Sequence, residues 1–169
     1  ELGVACCPHL AALHVAGAGL QSLSVAECPM LAAAAVTAPA LTRLALYSCR
    51  GLTFLDAAAP LVSSLQLHGL RALPTHHVAR AIAQCQASLS ELVLNGCLAA
   101  EHLSLSAPLL QRIKLEGCPN LSRVEIEAAG ALQEVEVKGC RSLTELLLPG
   151  APIALLSNIH VNGQIRLMG

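Results

Sequence analysis

One short pattern recurs along the chain at a nearly constant interval. The pattern is Leu-x-Leu-x-x-Cys, in which Val or Ile can replace Leu and the final Cys is missing from two copies. Successive copies begin 21, 21, 21, 27, 21, 22 and 24 residues apart. A fixed period of this length is typical of a solenoid, whose coils bury their apolar faces against one another. The copies start at Leu2, Leu23, Leu44, Leu65, Leu92, Ile113, Val135 and Ile159.

Each copy alternates apolar and polar residues before it ends on a small residue, which predicts a short strand with one buried face. Equivalent strands of successive coils should therefore form one parallel sheet. The final Cys is small enough to lie inside the turn, where its weak S–H can donate to a backbone carbonyl. The chain has eight cysteines, an even number, but its length and apolar composition make disulfide bonds unnecessary. We expect a column of reduced thiols, with no metal site, because no Cys-x-x-Cys pair occurs.

A second extended segment is expected in most coils. Pairs of apolar residues at alternate positions recur between the copies of the main pattern, ahead of turns that contain Pro or Gly. A coil of 21 residues therefore consists of two short strands joined by two turns. The alternating pairs are Ala34/Val36, Leu103/Leu105, Val124/Ile126 and Leu146/Leu148.

The 27-residue step contains a different element. Val78, Ala81, Ile82 and Cys85 recur at the spacing of one helix face, which predicts a helix over about 75–88. Thr75 would be its N-cap. The pair 76–77, both His, would lie at the surface in the first helical turn.

Three segments carry a resemblance to a known family. The segment 65–97 reads LQLHGLRALPTHHVARAIAQCQASLSELVLNGC and resembles the cysteine-containing leucine-rich repeat of F-box substrate receptors. Shorter copies, LQRIKLEGCPNL and LQSLSVAECPML, are similar to the compact leucine-rich repeats of plant and algal F-box proteins. The resemblance implies a substrate-recognition region of a ubiquitin ligase, although leucine-rich repeats serve many roles.

The expected fold is α/β and strand-dominated, a leucine-rich-repeat solenoid of about eight coils with a parallel sheet and one helix. Residues 1–169 would form a single domain. Because the chain begins at Glu1 rather than Met, we expect it to be part of a longer or processed chain.

Composition excludes several functions. A net charge of −1 provides no attraction to nucleic acid or to an anionic membrane, and an aromatic content of 1% leaves few base-stacking side chains. Polar residues interrupt both long uncharged stretches, so no membrane-spanning helix is expected. No signal peptide is visible, and the thiols favour an intracellular location, cytoplasmic or nuclear. The spacing shows no catalytic arrangement, so we expect no enzyme activity, cofactor or small-molecule substrate.

Charged residues alternate in sign between two neighbouring copies. Aligning QRIKLEGC with QEVEVKGC places Arg112 beside Glu134, Lys114 beside Glu136, and residue 116 (Glu) beside residue 138 (Lys). Such pairs could simply fix the strand register on a solvated face, or they could contact a protein partner. The corresponding position in earlier copies, expected to be exposed, holds Ser24, Ala45, Gln66 and Val93.

The sequence thus predicts a non-enzymatic protein-binding module that uses the exposed face of its main sheet. An alternative is a structural subunit held within a large assembly. An enzyme or metal sensor built on the cysteines is disfavoured, because ligand and base geometry are missing. The candidate protein-binding residues are Gln66, Arg112, Lys114, Glu134 and Glu136.

Overall fold

The computed structural model describes residues 1–97, 101–127, 129–151 and 166–168. Within these ranges the chain forms short parallel strands, one α-helix and a single 3-10 turn at Ala129–Ala131. The elements are β1 (Leu2–Ala5), β2 (Ala12–Ala16), β3 (Ser22–Ala26), β4 (Ala33–Thr37), β5 (Arg43–Tyr47), β6 (Phe54–Ala58), β7 (Ser64–His68), α1 (Thr75–Cys85), β8 (Glu91–Asn95), β9 (His102–Ser106), β10 (Arg112–Glu116), β11 (Arg123–Glu127), β12 (Glu134–Lys138), β13 (Glu145–Leu147) and β14 (Arg166–Met168).

Seven strands form one uninterrupted parallel sheet, here called the front sheet, in the order β1-β3-β5-β7-β8-β10-β12. Its register pairs the first residue of each sequence copy with the first residue of the next. Leu2 is opposite Leu23, Leu65 is opposite Leu92 across the long step, and Ile113 is opposite Val135. The predicted strand-dominated solenoid is confirmed, with about seven turns, and it is consistent with a leucine-rich-repeat-like architecture.

The opposite side of the solenoid, here called the rear side, is divided. Strands β2, β4 and β6 form one three-stranded sheet, and β14, β13, β11 and β9 form another of four strands. Helix α1 lies between them and packs against both β6 and β9. It therefore occupies the place of a strand in the coil with the 27-residue step. The predicted second extended segments are confirmed as β4, β9, β11 and β13.

Apolar columns from both sides meet in a single core between the sheets. The front sheet contributes pairs such as Leu44 and Leu46, exposed by 1% and 0%. The rear side contributes alternating residues such as Val36, and α1 contributes Val78 and Ile82. Each coil alone has too little apolar area to bury, so the coils stabilise one another through this shared core.

The cysteine column forms as the sequence predicts. Every Cys in the chain is a free thiol, and those that end the second and later copies, beginning with Cys28 and Cys49, are buried. The Cys28 Sγ lies 3.3 Å from the carbonyl oxygen of Ala26, two residues earlier. The Cys97 Sγ also lies 3.6 Å from the carbonyl oxygen of Leu67, on the preceding coil. The thiols therefore donate to backbone carbonyls inside the turn.

A column of left-handed backbone precedes these cysteines. In the first seven copies, the residue before the final Cys of the pattern, or before Leu70 in the fourth copy, has a positive φ. Three members are not glycine, and one of these is Ser48 with φ of 55°. Left-handed conformations turn the chain sharply at the end of each front strand and favour glycine, which occupies the later copies. The column consists of Cys6, Glu27, Ser48, Gly69, Gly96, Gly117 and Gly139.

Helix α1 differs from its prediction in three respects. It ends at Cys85, three residues earlier than expected, because the amides of Ser88 and Leu89 turn back to the carbonyl of Cys85. The N-cap position is Pro74 rather than Thr75, without a side-chain cap hydrogen bond. His77 is buried rather than at the surface, being only 9% exposed.

The eighth predicted copy, at 159–164, lies outside the described residues. In the described part of the chain, no helix is long and apolar enough to span a membrane.

Candidate protein-binding face

The outward surface of the front sheet, here called the front face, consists of three columns of side chains. Each strand contributes the residue before the first core position, the residue between the two core positions, and the residue after the second. Parallel strands place equivalent residues about 4.8 Å apart, so each column is a continuous ladder. The columns are Glu1, Ser22, Arg43, Ser64, Glu91, Arg112, Glu134; Gly3, Ser24, Ala45, Gln66, Val93, Lys114, Glu136; and Ala5, Ala26, Tyr47, His68, Asn95, Glu116, Lys138.

The last two strands of the front sheet carry a network of opposite charges. The register sets Arg112 against Glu134 and Lys114 against Glu136, as the alignment predicts. The Nε of Arg112 lies 3.1 Å from an oxygen of Glu134, and the Nζ of Lys114 lies 3.1 Å from one of Glu136. Four of the five candidate residues are therefore brought together.

The third predicted pair has the expected register but a different contact. Glu116 lies opposite Lys138, yet Lys138 forms its ion pair with Glu136 of its own strand. Glu116 instead accepts a hydrogen bond of 3.1 Å from the side-chain amide of Asn95 and lies 3.6 Å from the ammonium of Lys114. The network therefore combines an ion pair across strands, Lys114 with Glu136, and an ion pair along one strand, Lys138 with Glu136.

These contacts shift the protonation equilibria of the network. Hydrogen bonds from Lys138 and then Lys114 lower the pKa of Glu136. The hydrogen bond to Glu136 raises the pKa of Lys114. Both shifts favour the charged forms, so this part of the face is ionised at neutral pH.

Gln66, the fifth candidate, belongs to a different cluster. Its side-chain oxygen accepts a hydrogen bond of 2.6 Å from the hydroxyl of Tyr47. Its amide donates to Ser64 and Glu91, over 3.3 and 3.4 Å. Ser64 also donates to Glu91 over 2.6 Å, so the cluster links three strands. Tyr47 and Gln66 of this cluster are separated from Lys114 by β8, the strand that carries both Glu91 and Val93.

Val93 is not the exposed residue that the sequence predicts, because only 9% of it is accessible. Its register neighbours are Gln66 and Lys114. The long side chains on either side cover a short apolar side chain in the same ladder. Val93 is therefore a buried apolar residue between the Gln66 cluster and the charged strands of the front face.

Sequence reasoning missed Tyr47, Ser64 and Glu91. A signal for them was present, because they occupy the two outer columns that the repeat defines as clearly as the middle one. Extending the alignment of charges over all seven copies would have placed them on this face.

The buried thiols differ in their protonation equilibria. A side-chain hydrogen bond with Cys118 lowers the pKa of Cys97, whereas burial raises the pKa of Cys85 to about 11 and also raises the pKa of Cys49. A thiol that stays protonated at neutral pH is a poor nucleophile and a poor metal ligand. Within the described ranges, no three His, Cys, Asp or Glu side chains are grouped so that they could hold a metal ion.

No protein-family model, curated protein or solved structure matches this chain. Any statement about its function is therefore an inference from its own residues, their register and their contacts.

Proposed function

We propose that this protein is a non-enzymatic binding module that contacts a protein partner through its front face. The supporting observation is the ladder itself, in which the sheet fixes polar and charged side chains in three columns across seven strands. The carboxylate of Glu136 is held between Lys114 and Lys138, yet its side chain remains 28% exposed. Side chains already held in place lose less conformational entropy on binding, which favours affinity.

The repeat resemblance supports a more specific form of this proposal. A substrate-recognition region of an F-box ubiquitin ligase would use the same face, with the partner being the protein to be ubiquitinated. We also place the protein in a reducing, intracellular compartment, cytoplasmic or nuclear. The support is that the thiols of the column pack as free side chains.

A charge-reversal variant tests the front face. Lys114→Glu, Glu116→Lys, Glu136→Lys and Lys138→Glu, combined, reverse four charges of the network and keep each attractive pair among these four residues, while the Arg112–Glu134 pair stays unchanged. The fold should therefore survive, while a partner should meet the opposite pattern. We expect the tagged full-length chain to lose its specific partners in pull-downs from cells, with an unchanged thermal transition.

The rear side offers a matched control. Arg123 pairs there with Glu125 and Glu145, so Arg123→Glu with Glu125→Arg and Glu145→Arg reverses a second network of similar exposure. This variant should keep its partners. If both variants retain the same partners, the front face is not the contact surface.

The identity of the captured proteins distinguishes the two forms of binding. A ligase receptor should co-purify with an adaptor and with proteins that accumulate when the proteasome is inhibited. A structural subunit should instead co-purify with a fixed set of neighbours at constant stoichiometry. The second result would contradict the ligase form and support the assembly alternative.

A further inference from the structure

A shallow depression of about 200 Å³ lies on the front face, over strands β3, β5 and β7. Its lining includes three serines, Ser22, Ser24 and Ser64, together with Arg43. The strand register places Arg43 directly between Ser22 and Ser64, and Ser24 belongs to the same strand as Ser22. The guanidinium and the neighbouring hydroxyls are hydrogen-bond donors, and they line the same depression.

Arg43 differs from the other basic residues of the front face. Arg112, Lys114 and Lys138 each form an ion pair with a glutamate. Arg43 is exposed and forms no ion pair or side-chain hydrogen bond with any residue that the structure describes. It is therefore the one front-face Arg or Lys of the described chain whose charge is available to a ligand.

Some hydroxyls that line the depression already donate a hydrogen bond within the protein, and others do not. Tyr47 donates to Gln66, and Ser64 donates to Glu91, so both already have acceptors. The hydroxyls of Ser22 and Ser24, both partly exposed, donate to no group in the described ranges. The unused donors of the depression are thus the guanidinium and two hydroxyls, a combination that suits an oxyanion.

We propose that Arg43, with Ser22 and Ser24, forms a binding site for one anionic side chain of the partner, which carries either a carboxylate or a phosphoryl group. This proposal rests on the proposed function of the front face and names the chemistry that the partner must present there. Glu1 also lines the depression, and Glu91 lies two strands from Arg43 in the same column. These two carboxylates disfavour polyanions, so the site accepts a single anionic group rather than a nucleic acid strand.

Short peptides test the site without requiring the natural partner. The full chain, with its arginine side chains labelled with 15N, is titrated with acetylated and amidated five-residue alanine peptides. Their central residue is phosphoserine in one arm, glutamate in a second and serine in a third. We expect the Nε signal of Arg43 to shift with the anionic peptides and not with the serine peptide. A stronger response to phosphoserine would identify a phosphoryl ligand, and an equal response would identify a carboxylate-type site.

Two variants make the assignment specific. Arg43→Gln removes the charge and should weaken anionic-peptide binding by at least about tenfold. Arg50→Gln removes a different exposed arginine, which lies in the turn after Cys49, and should leave the affinity unchanged. Absence of a shift at Arg43, or an equal loss in both variants, would overturn the proposal.

Pull-downs with Arg43→Gln separate this proposal from the proposed function. In one outcome, the anionic peptides bind at Arg43 while every front-face variant still captures the same partners. That result would support the anion site and contradict the proposal that partners bind to the front face. Partner loss in the charge-reversal variant without any peptide response at Arg43 would support the face and overturn the anion site.

Discussion

The two sides of the solenoid solve the same stacking problem differently. The front sheet continues through seven strands without interruption, whereas the rear side is split by α1 into sheets of three and four strands. Both sides belong to the same coils, so the six extra residues of the 27-residue step are absorbed entirely at the rear. The front register is thereby preserved, and the columns of the front face remain continuous.

The interruption leaves backbone groups that a neighbouring strand would otherwise satisfy. Among the strands that the structure describes, β6 has a partner on only one edge, and the Nδ1 of His77 of α1 lies 3.1 Å from the carbonyl oxygen of Leu55. Arg80 adds an ion pair of 3.2 Å with Asp56 of the same strand. The His77 side chain therefore contacts one backbone group on the open edge of β6, and Arg80 holds the helix to the same strand through its side chain. These contacts of α1 make the rear side irregular, whereas the front face keeps its continuous columns of equivalent residues.

The largest expected effect comes from the front half of the core. Leu67→Ala removes a side chain that is fully buried beneath the front sheet, and it should lower the free energy of unfolding by about 2–5 kcal/mol. Urea denaturation measures the change. Leu61→Ala is the control, because Leu61 is 54% exposed and should change the stability by less than about 0.5 kcal/mol. Equal effects of the two substitutions would contradict the burial that the continuous front sheet requires.

The next effect tests how the rear side tolerates its interruption. His77→Phe keeps a ring of similar size next to Phe54 but leaves the carbonyl of Leu55 without its side-chain donor. We expect a loss of about 1–3 kcal/mol in urea denaturation, the usual cost of an unsatisfied buried polar group. His76→Phe changes an exposed neighbour and should have little effect. If His77→Phe is as stable as the parent, the helix does not depend on this bond with β6.

A smaller effect distinguishes the turns that end the front strands. Gly117 has φ of 59°, and the nearest heavy atom to an added Cβ would be 3.7 Å away. Gly117→Ala should therefore cost about 1–2 kcal/mol through backbone conformation rather than through a clash. Ser48→Gly, in the same column, should raise the stability by up to about 1 kcal/mol.

Gly19→Ala provides the reference for these turn substitutions. No heavy atom lies within 4 Å of a Cβ at Gly19, so alanine fits without contact. Thermal unfolding of the three variants should rank Ser48→Gly above Gly19→Ala and Gly117→Ala lowest. The reverse order for Ser48 and Gly117 would contradict a shared left-handed turn.

The sequence was sufficient for the parts of the fold that the period determines. Strand positions, the register of Leu65 with Leu92 and the pairing of Lys114 with Glu136 all follow from aligning copies. The burial of Val93 and His77 did not follow, because the pattern along one strand or one helix cannot show which side chains of neighbouring coils cover a residue. These misses concern contacts between coils rather than the coils themselves.

The left-handed column shows a further limit of sequence reasoning. Glycine marks this position in four later copies, which is a usable signal for a positive φ. Glu27 and Ser48 adopt the same conformation without it, because the flanking strands of the stack impose the turn.

The charged half of the candidate site could be predicted because two neighbouring copies align residue by residue. The alignment of the two charged copies covers all three columns, whereas for the earlier copies it covers only the middle column, so Arg43 and Tyr47 in the outer columns were missed.

The smallest expected effect is a pH dependence confined to the charged half of the front face. Hydrogen bonds from Lys138 and Lys114 hold the pKa of Glu136 below its ordinary value of 4.5. Its contribution to stability is therefore complete above pH 4.5 and is lost as the pH falls through the lower folded-state pKa. Glu136→Gln should be slightly less stable than the parent at neutral pH, and this difference should shrink in acid and in high salt. Glu127→Gln, at the exposed C-terminal end of β11, is the control and should show no such trend. A difference that stays constant from neutral to acid pH would mean that Glu136 acts by packing alone, and its ion pairs with Lys114 and Lys138 would then contribute nothing to stability.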